Sequence, residues 1–371
     1  MLKALILQQK KYDGVTWYRY LQFANKAREL KLADIQFLDL SLSDDKFGQV
    51  LQSADIFLTR LTPFFEVLQE KFEFFKLQNP IVVDMDDGLE NIDPLSDMYR
   101  SLGTEEVVLP DGSYLWKNDE SGFNMFENAG RLETFKDMLT KVTAITTTTF
   151  TLKNYIEQFN KNIAIIPNAI DPKNFPELNN DHREVRLMWS GGSSHYSDLA
   201  EIKLPLDRLM NKYPNLHLYI LGVAFNGITK DMPQDRVHKY SWVQADGHGF
   251  RLACMQADIG ICPLRDSPFN RNKSSVKFYE LASLGVSCVA RGIPPYSDDI
   301  VDGYSGLLYN SPEEFETKVS ELIEDPIKRV TMSSNAQKYV RDNRNLEDIT
   351  RDLVAFLQGV SDVSRNNNIK I

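Results

Sequence analysis

The sequence is short of cysteine, of histidine and of net positive charge, and each shortage closes off a class of protein. Cys254, Cys262 and Cys288 are odd in number and lie in apolar surroundings, which argues for reduced core thiols in a cytoplasmic protein rather than a disulfide scaffold. The five histidines are scattered, with no ligand spacing among themselves or towards the cysteines, so no metal site is expected. Acidic residues number 52 against 42 lysines and arginines, a formal net charge of −10 that disfavours a broad nucleic-acid or anionic-membrane surface. No apolar run approaches the ~20 residues of a membrane span, and residues 1–14 lack the cleavage region of a signal peptide. What remains is an ordinary soluble composition, 42% apolar and 25% charged, spread over 371 residues. That length exceeds one core, and two domains are expected.

The first half alternates short apolar strands with helical stretches. Strands are expected at residues 2–7, 35–40, 56–59 and 81–83, and helices at 16–30, 44–52 and 64–77, the last broken by Asn79-Pro80. Such alternation implies a parallel sheet with helices on both faces. Three features here carry chemistry. Gly14 follows the first strand in a turn. Arg19, beside Tyr18, sits on the next helix, where it is suited to phosphate or an acidic acceptor. Asp84, Asp86 and Asp87 cluster at the carboxyl end of a strand, where ligand crevices of open α/β sheets form. Juxtaposed carboxylates are costly unless something positive or hydroxyl-rich meets them, so sugar hydroxyls or a divalent ion are candidate partners. Residues 89–126 are irregular and long for a connection, and Tyr99, Tyr114, Trp116 and Phe123 give them stacking surface suited to acceptor recognition. A helix over 128–141, a β-branched strand from 142 and a strand at 163–166 complete this half.

The second half opens with a strand at 185–190 that runs into Gly191, Gly192, Ser193, Ser194 and His195, then a helix to about 213. Glycines at a strand-to-helix turn let backbone N–H groups reach a phosphate, aided by the helix dipole. Strands at 216–221 and 236–240 and a helix at 248–255 follow. The most informative stretch is 257–290: a strand at 258–263, a polar loop, a helix over 273–284 closed by Gly285, and a strand at 286–290. Asn270 and Asn272 are suited to cap that helix, and its free N–H groups favour an anion. Lys273, Lys277 and Glu280 share one helical face, while Phe278, Leu281 and Ala282 face a core. From Arg265 to Lys277 four basic residues meet one acid, Asp266, inside an acidic chain. This is chemistry for a phosphate, with a glutamate placed to accept two ribose hydroxyls. A capped surface helix with solvated charges has the same local pattern.

Strand, loop, helix ending in Glu280, and then Gly285-Val-Ser-Cys-Val-Ala290 resemble the nucleotide-sugar site of GT-B glycosyltransferases of the retaining group-1 or family-4 type. That family carries two glutamates two helical turns apart; Glu280 matches the second, and the first falls on Asn272, a departure from the pattern. Phe269, Asn270, Lys273, Ser274, Lys277 and Glu280 resemble a bacterial or phage-type subgroup. Pro167-Asn-Ala-Ile-Asp171 resembles the close of the family's amino-terminal domain, and Trp189 to His195 its second phosphate loop. The resemblance implies an α/β GT-B fold, two Rossmann-like domains with parallel sheets facing a central cleft. Residues 1–171 form the first, with a helix over 345–360 crossing back to it; 172–344 form the nucleotide-sugar domain; 361–371 are a flexible tail.

The implied activity moves a sugar from a nucleoside diphosphate sugar, a UDP- or GDP-sugar foremost, to a carbohydrate or other acceptor hydroxyl with retention, and without tightly bound cofactor or metal. Asp86, Asp87, Lys273 and His195 are the catalytic candidates. Donor binding falls to Gly14, Arg19, Gly191, Gly192, Ser193, Asn270, Asn272, Lys273, Ser274, Lys277 and Glu280. The alternatives are a nucleotide-sugar epimerase, a phage-type DNA-base glycosyltransferase, disfavoured by the net charge, and a non-catalytic nucleotide-sugar-binding protein.

Overall fold

The computed structural model describes every residue except 8–12, 40–41, 43, 61–77, 177, 179–181 and 369–371. The expected helix at 64–77 therefore lies outside the described residues. The chain divides into two compact units. The first comprises Met1–Gly88, Glu127–Asn168 and Leu346–Ile371; the second comprises Leu89–Phe126 and Ala169–Asn345.

The first unit is built on short strands that are buried on both faces at the centre of the sheet, while Lys3 and the edge residue Gln36 are exposed. The strands are β1 (Leu2–Ile6), β2 (Ala33–Phe37), β3 (Ile56–Arg60) and β4 (Ile81–Met85). After an excursion into the second unit, where β5 (Val107–Val108) pairs antiparallel with β6 (Tyr114–Trp116), β7 (Ala144–Thr147) and β8 (Ile163–Ile165) complete it. All six pair in parallel in the order β2-β1-β3-β4-β7-β8, with Ala4 opposite Ile56 and Val82 opposite Ala144. This is the flavodoxin-like order, with its topological switch between β1 and β3. Helical turns from Gly14 to Glu29 follow β1, capped by Asp13 and widened to a π-turn over Trp17–Leu21. Six consecutive residues there, Arg19 to Ala24, are buried, because the segment is covered on more than one side.

The second unit holds β9 (Val185–Gly191), β10 (Leu216–Gly222), β11 (Val237–Tyr240), β12 (Ile259–Cys262), β13 (Ser287–Arg291) and β14 (Leu307–Tyr309). They run parallel in the order β11-β10-β9-β12-β13-β14, the dinucleotide-binding order, with the switch between β9 and β12. Its core is centred on Trp189, Leu209, Ile261, Tyr309 and Phe315.

Four boundaries depart from the sequence reading, each for a local reason. The helix expected to run to about 213 breaks at Ile202 into Tyr196–Glu201 and Lys203–Lys212. Pro205 has no N–H, and its ring would clash with the Glu201 carbonyl in a continuous helix. The helix expected from 273 begins at Val276, because Ser267 caps a separate turn, Pro268–Arg271. Residues 361–371, expected to fray, stay helical through Asn368, with Val360 and Ser361 buried. Residues 89–126 belong by chain order to the first domain but cluster with the second unit, since Ile92, Tyr99 and Phe123 share a core with Phe269.

Candidate functional site

At the switch point of the second sheet the connections from β9 and β12 leave in opposite directions, which opens a crevice at the strands' carboxyl ends. Two glycines are forced by packing there. A Cβ on Gly191 would lie 2.4 Å from the Trp189 ring, and one on Gly222, whose φ is +114°, would lie 2.3 Å from the Gly191 carbonyl oxygen. Gly192 has nothing within 4 Å of that position, so its backbone is open to approach. A short turn, Ser193–His195, then leads into the helix Tyr196–Glu201.

His195 is the middle of a part-buried chain of polar groups. Lys277 Nζ lies 2.9 Å from its Nε2, and its Nδ1 lies 2.6 Å from Asp198 Oδ2. Asp198 Oδ1 accepts from the Arg265 amide at 2.7 Å and from Asn270 Nδ2 at 3.1 Å. The Trp189 ring forms one wall, 5.7 Å from the ammonium and edge-on to the imidazole. Burial, and then the positive charge of Lys277, push His195 down to about 4, so the ring is neutral near pH 7. Burial also lowers Lys277 to about 8. Desolvation works against the Asp198 carboxylate, but its hydrogen bond from His195 prevails and holds it below the ordinary range.

One turn further on, Glu280 is 4% exposed and pairs with His248 Nε2 at 3.5 Å. Burial lowers His248, yet the Glu280 carboxylate more than offsets this and raises it above its ordinary value. The half-exposed Trp242 lies over His248, ring centres 5.4 Å apart. Lys273 sits over the Phe269 ring at 4.4 Å, and Ser274 is half-buried beside it. The asparagines do not cap the site helix. Ser267 Oγ accepts the amide of Asn270, whose side chain instead bonds Asp198 and the Arg265 carbonyl, while Asn272 Nδ2 donates to the Pro268 carbonyl at 3.1 Å. Arg271 is paired with Asp266 at 2.7 Å, and Arg265 approaches Asp93 at 3.8 Å.

The first unit contains a second cluster. Arg19 grips Asp84 with two hydrogen bonds, 2.9 and 2.7 Å, and donates also to the Ile166 carbonyl and to Asn168 Oδ1. Thr146 Oγ1 donates to Asp84 at 2.6 Å. These groups are buried, so the Arg19 guanidinium, read from sequence as a donor ligand, is committed to holding β4 to the segment after β8. Asp86 and Asp87, just beyond β4, are half-buried, and Arg60 approaches Asp86 at 3.6 Å. Burial raises Asp86 to about 6; Arg60 opposes this, and Asp87 and Asp84 add to it. Gly14 is exposed and nothing crowds its Cβ position, so no steric demand calls for glycine there. Among the described residues, no group of three or more His, Cys, Asp or Glu side chains is placed to hold a metal ion, and no helix is long and apolar enough to cross a membrane.

Sequence reasoning missed Asp198 and His248. Asp198 stands three residues after His195, a spacing that one turn of helix turns into a contact. Nothing in the sequence brings His248 to Glu280, because the two lie on different helices.

Two six-stranded parallel sheets, the second with lysines, a neutral histidine and a glycine turn at its switch point, define a doubly wound α/β architecture. No protein-family model matches the sequence, and no curated protein is similar to it. Solved structures are similar. Sucrose-phosphate synthase from Thermosynechococcus elongatus superposes with a TM-score of 0.66 at 11% identity, over 97% of this chain and 99% of that one. HepE from Anabaena in complex with UDP-glucose gives 0.65 at 14%, over 97% and 100%. A glycosyltransferase from Rickettsia africae gives 0.65 at 10%, over 97% and 98%. The chain has the GT-B fold.

Proposed function

We propose that this protein is a glycosyltransferase that moves a sugar from a nucleoside diphosphate sugar to an acceptor hydroxyl with retention of configuration. The observation that carries the reading is the chain Lys277–His195–Asp198 beside the open Gly192 turn, at the switch point of the second sheet. The likeness to HepE, solved with UDP-glucose, supports it. In this reading Lys273, Lys277, Ser193 and His195 stabilise the charge that develops on the departing diphosphate. The backbone of Gly191 and Gly192 approaches the phosphates, Glu280 accepts the ribose hydroxyls, and Asn270 and Ser274 hold the loop that carries the lysines. Asp86 and Asp87 act on the reacting sugar. The lysines take the neutralising role that a metal plays elsewhere, so turnover is expected to survive chelators. UDP- and GDP-sugars are the first donors to try.

A nucleotide-sugar binder without transfer is the second reading, favoured by Asn272 at the position of the family's first glutamate. Hydrolysis of the donor in the absence of acceptor separates the two. The test of the site is a thermal-shift series with UDP, GDP, dTDP, CDP and ADP on the wild type, Glu280→Ala and Lys273→Ala. A nucleotide at a hundred times its Kd stabilises the folded state by about 2.7 kcal/mol. One diphosphate is expected to shift the wild type and neither variant; no shift from any of the five overturns the reading.

A further inference from the structure

We propose that Asp198 is a positioning residue that fixes His195 with its proton on Nδ1, so that donor binding is accompanied by uptake of one proton at His195 Nε2. The inference rests on the donor reading above and adds to it a proton whose place the geometry defines. An ammonium has only hydrogens to offer, so the 2.9 Å contact from Lys277 makes Nε2 an acceptor. The single proton of the neutral ring is then on Nδ1, facing Asp198 Oδ2 at 2.6 Å. Asp198 cannot turn away. It is 2% exposed, and its other oxygen is held by the Arg265 amide and by Asn270.

A diphosphate oxygen has only lone pairs to offer. When Lys277 turns its hydrogens towards such a ligand, Nε2 loses its donor and faces an acceptor with a lone pair of its own. A proton from solvent on that lone pair resolves both conflicts: Nε2–H then donates to the phosphate while Nδ1–H stays on Asp198. No bond of the donor is made or broken in this step. The charges facing His195 are Asp198 from the helix it leads into, Lys273 from the segment before the site helix and Lys277 from that helix's first turn, with the Trp189 ring from β9 as a neutral wall. Beyond Lys277 lie Glu280 and the Cys262 thiol. In the free protein burial and the two lysines keep the ring neutral. A ligand with two negative charges cancels the lysines and leaves Asp198 as the neighbour that decides.

Nucleotide sugars are suitable probes, because a diphosphate esterified at both ends does not itself titrate near neutrality. UDP-glucose, UDP-N-acetylglucosamine, dTDP-glucose, GDP-mannose and ADP-glucose are to be titrated calorimetrically at pH 7 in buffers of different ionisation enthalpy. The expected result is uptake of about one proton with whichever binds, and affinity that weakens up to about tenfold per pH unit above neutrality. His195→Gln keeps a permanent N–H donor near the Nε2 position and is expected to bind without proton uptake. Asp198→Asn is expected to lose most of the uptake and, by ¹⁵N NMR, to move the ring proton towards Nε2. Should Asp198→Asn fail to fold, His195→Gln alone decides. Binding by the wild type with no uptake overturns the inference and leaves the donor reading standing. Undiminished uptake in His195→Gln assigns the proton elsewhere, to Lys277, and overturns it too. Failure of all five to bind overturns both.

Discussion

Lys277 has a histidine nitrogen for its hydrogen-bond partner where a structural lysine would have a carboxylate, and the protein loses stability by it. Its folded pKa falls from 10.5 to about 8, chiefly through burial. A depressed value means that the associated stability is complete above 10.5 and is lost as pH falls through about 8, so near neutrality the free protein carries a cost of about 3 kcal/mol. Lys277→Met should therefore raise the stability of the free protein by up to about that amount at pH 7, with the gain shrinking as pH approaches 10.5. The same variant should lose any thermal shift that nucleotide gives the wild type. Denaturant titrations across that range read the first effect, and an unchanged midpoint at pH 7 would remove the argument.

Asp86 runs the other way. Its folded pKa is raised from 3.8 to about 6, so its contribution is complete below 3.8 and is lost as pH rises through 6. Asp86→Asn should gain up to about 3 kcal/mol at pH 7 and nothing near pH 3.5. Equal gains at both values would mean that ionisation of Asp86 is not the source.

At the scale of elements, what the sequence made legible was whatever depends on local pattern. The two runs of parallel strands, the glycine turn after β9 and the placing of Lys277 and Glu280 on one helix all follow from periodicity and turn chemistry. The helix that begins at Val276 reads longer in the sequence because Ser267, Pro268 and the asparagines each carry a start signal, and sequence alone does not rank them. The partnership of Glu280 with His248 and the burial of Arg19 against Asp84 depend on which elements pack together, which no local signal encodes. The excursion 89–126 shows the same limit. Its aromatics suggested a stacking surface, yet Tyr99 and Phe123 are buried with Phe269, and Trp116 packs on them and donates to the Pro94 carbonyl at 2.6 Å. Tyr114 remains exposed beside Lys117. Phe123 is 1% exposed, and replacing such a side chain by alanine costs about 3–5 kcal/mol. Phe123→Ala should accordingly free the excursion to proteolysis between residues 89 and 126 while β9 to β14 keep their exchange protection. Cleavage no faster than in the wild type would place the anchor elsewhere.

At the scale of the whole molecule, the chain leaves the first unit at Gly88, returns at Glu127, leaves again after Asn168 and returns at Leu346. The final helix, Leu346–Asn368, is thus part of a sheet domain whose strands ended some 180 residues earlier, at Ile165. It packs against the helix Gln22–Glu29 with Leu346, Leu353, Val354, Leu357 and Val360 buried, and Arg365 pairs with Asp55. The spacing of those apolar residues puts them on one stripe of the helix, so removing it uncovers a contiguous face. Burial of a large aliphatic side chain is worth about 1.5–3 kcal/mol, and five of them approach the ~5–15 kcal/mol by which a domain is stable at all. Within the second unit, the hydrogen bond from the Ile170 amide to the Arg344 carbonyl survives the same cut. A chain ending at Asn345 is expected to show amides of β1 to β4 exchanging at unfolded rates while those of β9, β10 and β12 stay protected, and to keep whatever nucleotide binding the wild type has. Protection retained in both sheets would show that the first sheet is stable without its last helix. Loss in both would show that the two units unfold as one.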